Sequence, residues 1–223
     1  MTDKPFSTTK PLITASVLSA DFSKLDREIE DVLNGGADFI HLDVMDGHFV
    51  PNISFGPRYV ESIRKVTKAY FDAHLMISEP LRYAERFVKA GAQNITYHVE
   101  TVSDVVAAAK EIRKLGVNVG VTARPSTPLE KLWPALDYVD VVLIMSVEPG
   151  FSGQKFMPEV LPRAREMKKR LRVDQRMEID GGINTETIRS AIEAGVDWFV
   201  IASAIFDKPD RAAAIAEIRK HMG

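Results

Sequence analysis

Short apolar runs alternate with longer segments of helical period from residue 11 to the end of the chain, and the alternation never breaks. Strands are predicted over 12–18, 39–44, 70–76, 94–99, 118–123, 141–147, 176–179 and 198–202, eight in all. Helices are predicted between and after them, over 24–33, 57–66, 80–89, 103–114, 129–136, 158–171, 185–193 and 210–221. Ser23 is placed as an N-cap, Pro57 in a first turn, and Gly35, Gly91, Gly116 and Gly195 as left-handed C-caps. Strands this apolar cannot be solvated on either face, and eight strand–helix units in 223 residues point to an α/β chain folded as a single (β/α)8 TIM barrel. An open doubly wound sheet needs a Gly-rich loop after its first strand, and Leu18-Ser19-Ala20-Asp21-Phe22 is not one. The domain is expected over 11–223, after a short polar tail over 1–10 that lacks the apolar core of a signal sequence.

In such a barrel, function sits at the C-terminal ends of the strands. There His41, Asp43 and Met45 alternate on one face of the second strand, His74 and Met76 on one face of the third, and Asp180 ends the seventh. Two imidazoles and two carboxylates around one mouth suggest a divalent-cation site; a direct His41–Asp43 ion pair is the competing reading and leaves His74 and Asp180 unexplained. The chain has no cysteine, so any such site is N/O in character, with Zn²⁺, Fe²⁺, Mn²⁺ or Co²⁺ as candidates. The same lack of cysteine is compatible with a reducing cytoplasm.

Such a cation polarises a ketone and stabilises an enediolate. Asp43 and Asp180, coming from different parts of the ring, could flank a planar intermediate as base and acid and so invert a stereocentre. No dinucleotide fingerprint or P-loop accompanies them, which leaves hydride transfer and ATP chemistry without support. Met45, Met76 and Met145 are expected as an apolar, polarisable wall. His98 and Glu100 read as a mutually satisfied pair, and Glu178 lies one layer beneath Asp180 with no partner evident. The segment 148–154 is too long and glycine-rich for a minimal turn and reads as an ordered or closing loop. The turns at Gly181-Gly182 and Ala202-Ser203 lie where barrel enzymes often bind phosphate through backbone N–H groups.

Charge narrows the partners. With 29 basic against 31 acidic side chains and a net charge of -2, neither nucleic acid nor an anionic membrane is indicated, so phosphate must be bound locally. No stretch approaches the ~18 apolar residues of a membrane span. Exposed apolar helix faces suggest a homo-oligomer.

Several long motifs resemble those of the ribulose-phosphate 3-epimerase family: Ser16 to Phe22, His41 to Asn52 (HLDVMDGHFVPN), His74-Leu75-Met76, Met145 to Gln154 (MSVEPGFSGQ) and Asp180-Gly181-Gly182, with the likeness running through Ile205-Phe206. The resemblance implies an isomerase that interconverts D-ribulose 5-phosphate and D-xylulose 5-phosphate at C3 in the pentose phosphate or Calvin route. It also implies His41, Asp43, His74 and Asp180 as ligands of one divalent cation, Asp43 as proton acceptor and Asp180 as donor. Ser16 and His74 would touch the phosphosugar, and Gly150, Phe151, Ser152, Gly153, Gly181, Gly182, Ala202 and Ser203 would hold it, chiefly by its phosphate. Three positions depart from the family pattern: Ala202 and Ser152 stand where glycine is usual, and Arg124 stands where asparagine is frequent and is expected as a rim charge. Rival readings are a 3-epimerase of a six-carbon ketose phosphate, a metal-free decarboxylase or isomerase, and a catalytically silent phosphosugar binder.

Overall fold

In a computed structural model that describes residues 10–223, eight strands pair in parallel in chain order and close on themselves, β8 against β1. They are β1 (Leu12–Ser16), β2 (Phe39–Met45), β3 (Phe71–Met76), β4 (Asn94–His98), β5 (Asn118–Ala123), β6 (Val141–Met145), β7 (Arg176–Asp180) and β8 (Trp198–Ile201). The tail expected over 1–10 lies, except for Lys10, outside the described residues. Eight α-helices follow the strands: α1 (Leu25–Asn34), α2 (Pro57–Arg64), α3 (Pro80–Ala90), α4 (Val105–Lys114), α5 (Leu161–Lys168), α6 (Ile188–Glu193), α7 (Ser203–Phe206) and α8 (Arg211–Lys220).

Every strand residue is buried except Asp180, which is half-buried at the mouth. Alternation sorts them: Ile40, Leu42 and Val44 join the large core between sheet and helices, while Phe39, His41, Asp43 and Met45 point into the barrel. The interior is graded along its axis. Leu12, Phe39, Tyr70, Val141 and Trp198 form an aromatic floor. Above it several polar groups bond to one another: Trp198 Nε1 donates to Thr14 Oγ1, Asn118 donates to the Tyr70 hydroxyl at 2.7 Å, and Asn94 donates to Asp72 at 2.6 Å. Gly120 leaves room for Thr96, whose side chain occupies the place a Cβ would take.

Local chemistry sets the helix ends. Proline opens α2 and α3, where its missing N–H costs nothing, and Asp104 and Asp210 cap α4 and α8 by accepting from first-turn amides. Some sequence expectations fail for physical reasons. Ser23 does not cap α1; Asp21 instead caps a 3₁₀ turn over Phe22–Lys24, and α1 starts from Lys24 without a side-chain cap. The helix expected over 129–136 is two 3₁₀ segments, Leu129–Lys131 and Trp133–Tyr138, because Pro134 cannot donate within an α-helical ladder. The one expected over 158–171 begins as a 3₁₀ turn and is α-helical over Leu161–Lys168.

Gly35 is not left-handed, with φ -71°; Gly36 takes that role at φ 102°. Gly35 serves packing instead, since a Cβ there would lie 2.9 Å from the Cα of Ala212 where α1 meets α8. Those helices are further joined by Arg211, which donates to both oxygens of Glu28 at 2.6 and 2.7 Å.

Candidate active site and metal centre

The strand register builds the site in layers. His41 stands opposite Asp72, Asp43 opposite His74, and Met45 opposite Met76 across β2 and β3; Met145 stands opposite Asp180 across β6 and β7. His41, Asp43, His74 and Asp180 each offer a ligand atom within 4.8 Å of the others. Asp43 Oδ1 lies 3.4 Å from both His41 Nε2 and His74 Nδ1, and His74 Nδ1 lies 3.8 Å from Asp180 Oδ2. These are loose spacings for hydrogen bonds, and His41 Nε2, Asp43 Oδ1 and His74 Nδ1 are indeed buried without a hydrogen-bond partner. Buried polar atoms are nearly always paired. Three unpaired lone-pair donors converging with a fourth ligand, the Asp180 carboxylate, fit a divalent cation of borderline hardness.

The opposite ends of the ligands are held. Ser16 Oγ donates to Asp43 Oδ2 at 2.6 Å, which turns Oδ1 toward the other ligands. His41 Nδ1 lies 2.7 Å from Asp72 Oδ2, which keeps a proton on Nδ1 and leaves Nε2 as the nitrogen a cation would take. His74 Nε2 lies 2.8 Å from His98 Nε2. Asp72 escaped the sequence reading, although it precedes His74 by two residues on the same face. Glu178, left there without a partner, lies 3.7 Å from His41 Nδ1 and forms with His41 and Asp72 a buried triad directly below the site.

The electrostatics separate the two catalytic candidates. Burial alone would raise Asp43, but His41 beside it, with further help from His74, holds its carboxyl well below the usual range, so it is ionised. Burial, then the charge of Asp43, pushes Asp180 up to about 7. Burial and the charge of Asp72 raise Glu178 well above the usual range, which makes it a carboxylic acid. Against the effect of burial, Asp43 and Asp72 raise His41 well above its ordinary value. Burial lowers His74 and takes His98 down to about 4, leaving both neutral.

Above the ligands opens a cavity of about 1330 Å³. Asp43 and Asp180 reach it, whereas His41 and His74 are buried below its surface. Its walls include Ser16, the three methionines Met45, Met76 and Met145, the loop Gly150-Phe151-Ser152-Gly153, the turn Gly181-Gly182, and Ala202-Ser203. The structure therefore gathers every site residue singled out in the sequence. The 148–154 loop has bonds of its own: Gln154 Nε2 donates to the carbonyls of Glu148 and Phe151 at 2.7 and 2.9 Å, and Asn52 Nδ2 donates to that of Gly150 at 2.7 Å. Gly181 and Gly182 take φ 122° and 64°, and a Cβ on Gly181 would press on Val147 at 2.6 Å. Ala202 has φ -109°, so its methyl introduces no left-handed strain.

Arg124 is not the bare rim charge expected. Its guanidinium lies over the Phe49 ring at 4.3 Å, donates to the Phe49 carbonyl, and sits 3.6 Å from Glu148. It thereby ties the β2–α2 loop to the loop after β6. His98 and Glu100 are likewise more than a self-satisfied pair, because His98 bonds directly to His74.

The model of the ribulose-phosphate 3 epimerase family matches residues 12–206. A ribulose-phosphate 3-epimerase of Mycobacterium tuberculosis (strain ATCC 25618 / H37Rv) is 47% identical over 220 residues, covering 97% of this chain and 95% of that protein. One from Bacillus subtilis (strain 168) is 47% identical over 211 residues, covering 93% and 97%. A cytoplasmic isoform from Oryza sativa subsp. japonica is 42% identical over 212 residues, covering 93% and 92%. Among solved structures, KGPDC from Streptococcus mutans in complex with D-R5P superposes with a TM-score of 0.77 at 14% identity, covering 95% of this chain and 97% of that one. The 3-hexulose-6-phosphate synthase of Salmonella typhimurium gives 0.71 at 18%, covering 95% and 98%. Likeness at such low identity speaks for the barrel fold alone.

Proposed function

The chain belongs to the ribulose-phosphate 3-epimerase family, and from that premise we propose that it interconverts D-ribulose 5-phosphate and D-xylulose 5-phosphate with Asp43 and Asp180 as an acid/base pair beside a divalent cation. The observation that carries the reading is the convergence of His41 Nε2, Asp43 Oδ1 and His74 Nδ1, all buried and unpaired, on the half-buried Asp180. His41, Asp43, His74 and Asp180 would hold the cation, which supplies Lewis-acid stabilisation for negative charge developing on the ketose oxygens.

The remaining work falls to side chains. Asp43, ionised and oriented by Ser16, removes the C3 proton from one face of the substrate. Asp180, half-buried at the mouth, takes up a proton from solvent there before substrate closes it and delivers that proton to the opposite face, and the configuration at C3 inverts. Met45, Met76 and Met145 line the cavity around the reacting carbon with groups that neither donate nor accept protons strongly, which keeps proton traffic on the two carboxyls. Backbone N–H groups of Gly181-Gly182 and Ala202-Ser203, with the 150–153 loop, would receive the phosphate, a role that their position on the cavity wall supports. A cytoplasmic location, which the rice relative's name supports, and a homo-oligomeric state belong to the same proposal. Among the described residues no helix is long and apolar enough to cross a membrane.

The test is formation of D-xylulose 5-phosphate from D-ribulose 5-phosphate before and after chelation, with Zn²⁺, Mn²⁺ or Fe²⁺ added back. Chelator-sensitive, metal-restored turnover is expected. Metal-replete protein that leaves the pentose untouched would refute the assignment and turn attention to six-carbon ketose phosphates.

A further inference from the structure

We propose that His98 and Glu100 are positioning residues that fix the proton of His74 on Nε2, and so commit Nδ1 to the cation. The inference rests on the reading of His74 as a ligand and deepens it. His74 Nε2 and His98 Nε2 are 2.8 Å apart in a fully buried setting, so one nitrogen carries a proton and the other accepts it. Nδ1 of His74 faces Asp43 and Asp180 and must present a lone pair when a cation sits among them. A neutral His74 then has its proton on Nε2, His98 accepts at Nε2, and a neutral His98 keeps its own proton on Nδ1.

That proton faces a carboxylate across a spacing too long for a hydrogen bond but short enough for charge to favour it, for His98 Nδ1 lies 3.4 Å from Glu100 Oε2. The opposite polarity would set a bare ring nitrogen against a carboxylate, with two acceptors and no proton between them. Glu100 is itself fixed as an acceptor: the backbone N–H of Arg124 donates to its Oε1 at 2.8 Å and the Thr127 hydroxyl donates to the same oxygen. The Phe49 ring packs on His98 at 4.6 Å between centroids and is covered in turn by Arg124, which shields the His98 end of the relay while Glu100 stays at the rim. The two histidine ligands are thus backed differently, His41 by the Asp72 carboxylate directly and His74 by an imidazole interposed before Glu100.

The decisive measurement is ¹⁵N–¹H long-range correlation on histidine rings of the zinc-loaded enzyme. His98 is expected with its proton on Nδ1, the less common neutral tautomer, and His74 with its proton on Nε2; a His98 protonated on Nε2 overturns the proposal without recourse to any variant. Zinc competition against a chromophoric chelator gives a second readout. His98→Leu should weaken zinc binding about 10–100-fold, and His98→Gln, whose carbonyl oxygen can accept from His74, should recover most of the loss. Wild-type affinity in His98→Leu, or no recovery in His98→Gln, refutes the relay. If the leucine variant does not fold, Glu100→Gln at the rim replaces it, with a several-fold loss expected and an unchanged affinity counting against the proposal. His74→Ala separates the two levels of inference. If it binds zinc as the wild type does, the metal site itself is wrong; if it loses zinc while His98→Leu does not, only the relay is.

Discussion

Loading the metal-free protein with zinc should expel protons, and more of them in acid than in base. In the metal-free site Asp180 is pushed up to about 7 by burial and by the charge of Asp43. It therefore holds a proton through pH 6 and has lost it by pH 8, whereas a cation requires the bare carboxylate. From that value the carboxyl is about nine-tenths protonated at pH 6 and about one-tenth at pH 8, so ligation should release about 0.8 more protons at the lower pH. The same linkage makes zinc affinity rise about 10-fold between those pH values from Asp180 alone, or about 1.4 kcal/mol. Asp43, held ionised by its histidines, releases nothing, while His41, raised by Asp43 and Asp72, adds to the release in the same direction. Isothermal titration calorimetry in buffers of different ionisation enthalpy counts the protons, and chelator competition gives the affinities. Asp180→Asn should remove the share that belongs to Asp180. Equal proton release at pH 6 and pH 8, with an affinity that does not change, would show that Asp180 is ionised without the cation and would refute the electrostatic separation of the two carboxyls.

Three further outcomes are expected. Asp43→Asn and Asp180→Asn should each lower kcat by at least about 10²–10⁴-fold while leaving inorganic phosphate affinity near that of the wild type, read in a coupled epimerase assay and by calorimetry; retained turnover removes that carboxyl from the acid/base pair. Asp72→Asn should weaken metal binding about 10–100-fold without touching phosphate affinity, because the His41 proton loses the charged partner that keeps it on Nδ1. Zinc at about 100 times its Kd should stabilise the fold by about 2.7 kcal/mol, a rise in Tm of about 5–11 °C for a chain of this size; calorimetry with and without chelator checks it, and a coincident pair of transitions argues against a metal site built into the barrel.

The architecture was legible in the sequence because strand and helix periods differ so clearly along this chain. So were the four ligands, since alternation alone puts His41 with Asp43 on one face and leaves Asp180 at a strand end. What stayed hidden depends on register or on distant chain segments. Asp72 matters because β3 pairs with β2 so that it stands opposite His41, and no local pattern encodes that offset. His98 looked self-sufficient beside Glu100 until β4 set it against His74. Arg124 looked like surface charge because Phe49 and Glu148, its partners, are far from it in sequence and on different loops. The lost helix over 129–136 is a different failure, a local one in which Pro134 outweighed the apolar periodicity.

The aromatic floor of the barrel has a consequence for how the reaction exchanges matter with water. Leu12, Phe39, Tyr70, Val141 and Trp198 stop the bore at its lower end, and Asp72, Glu178 and His41 above them are sealed as well. Among the described residues the active centre is a well that opens at the mouth, and in the proposed reaction substrate would fill that opening. On the proposed mechanism neither carboxyl would trade its hydrogen with the medium while substrate is bound, and the proton taken by Asp43 would stay there until product leaves. Each cycle on that mechanism would end with the two carboxyls in exchanged protonation states, and the vacant mouth between cycles would be where they reset for the next turnover in the same direction.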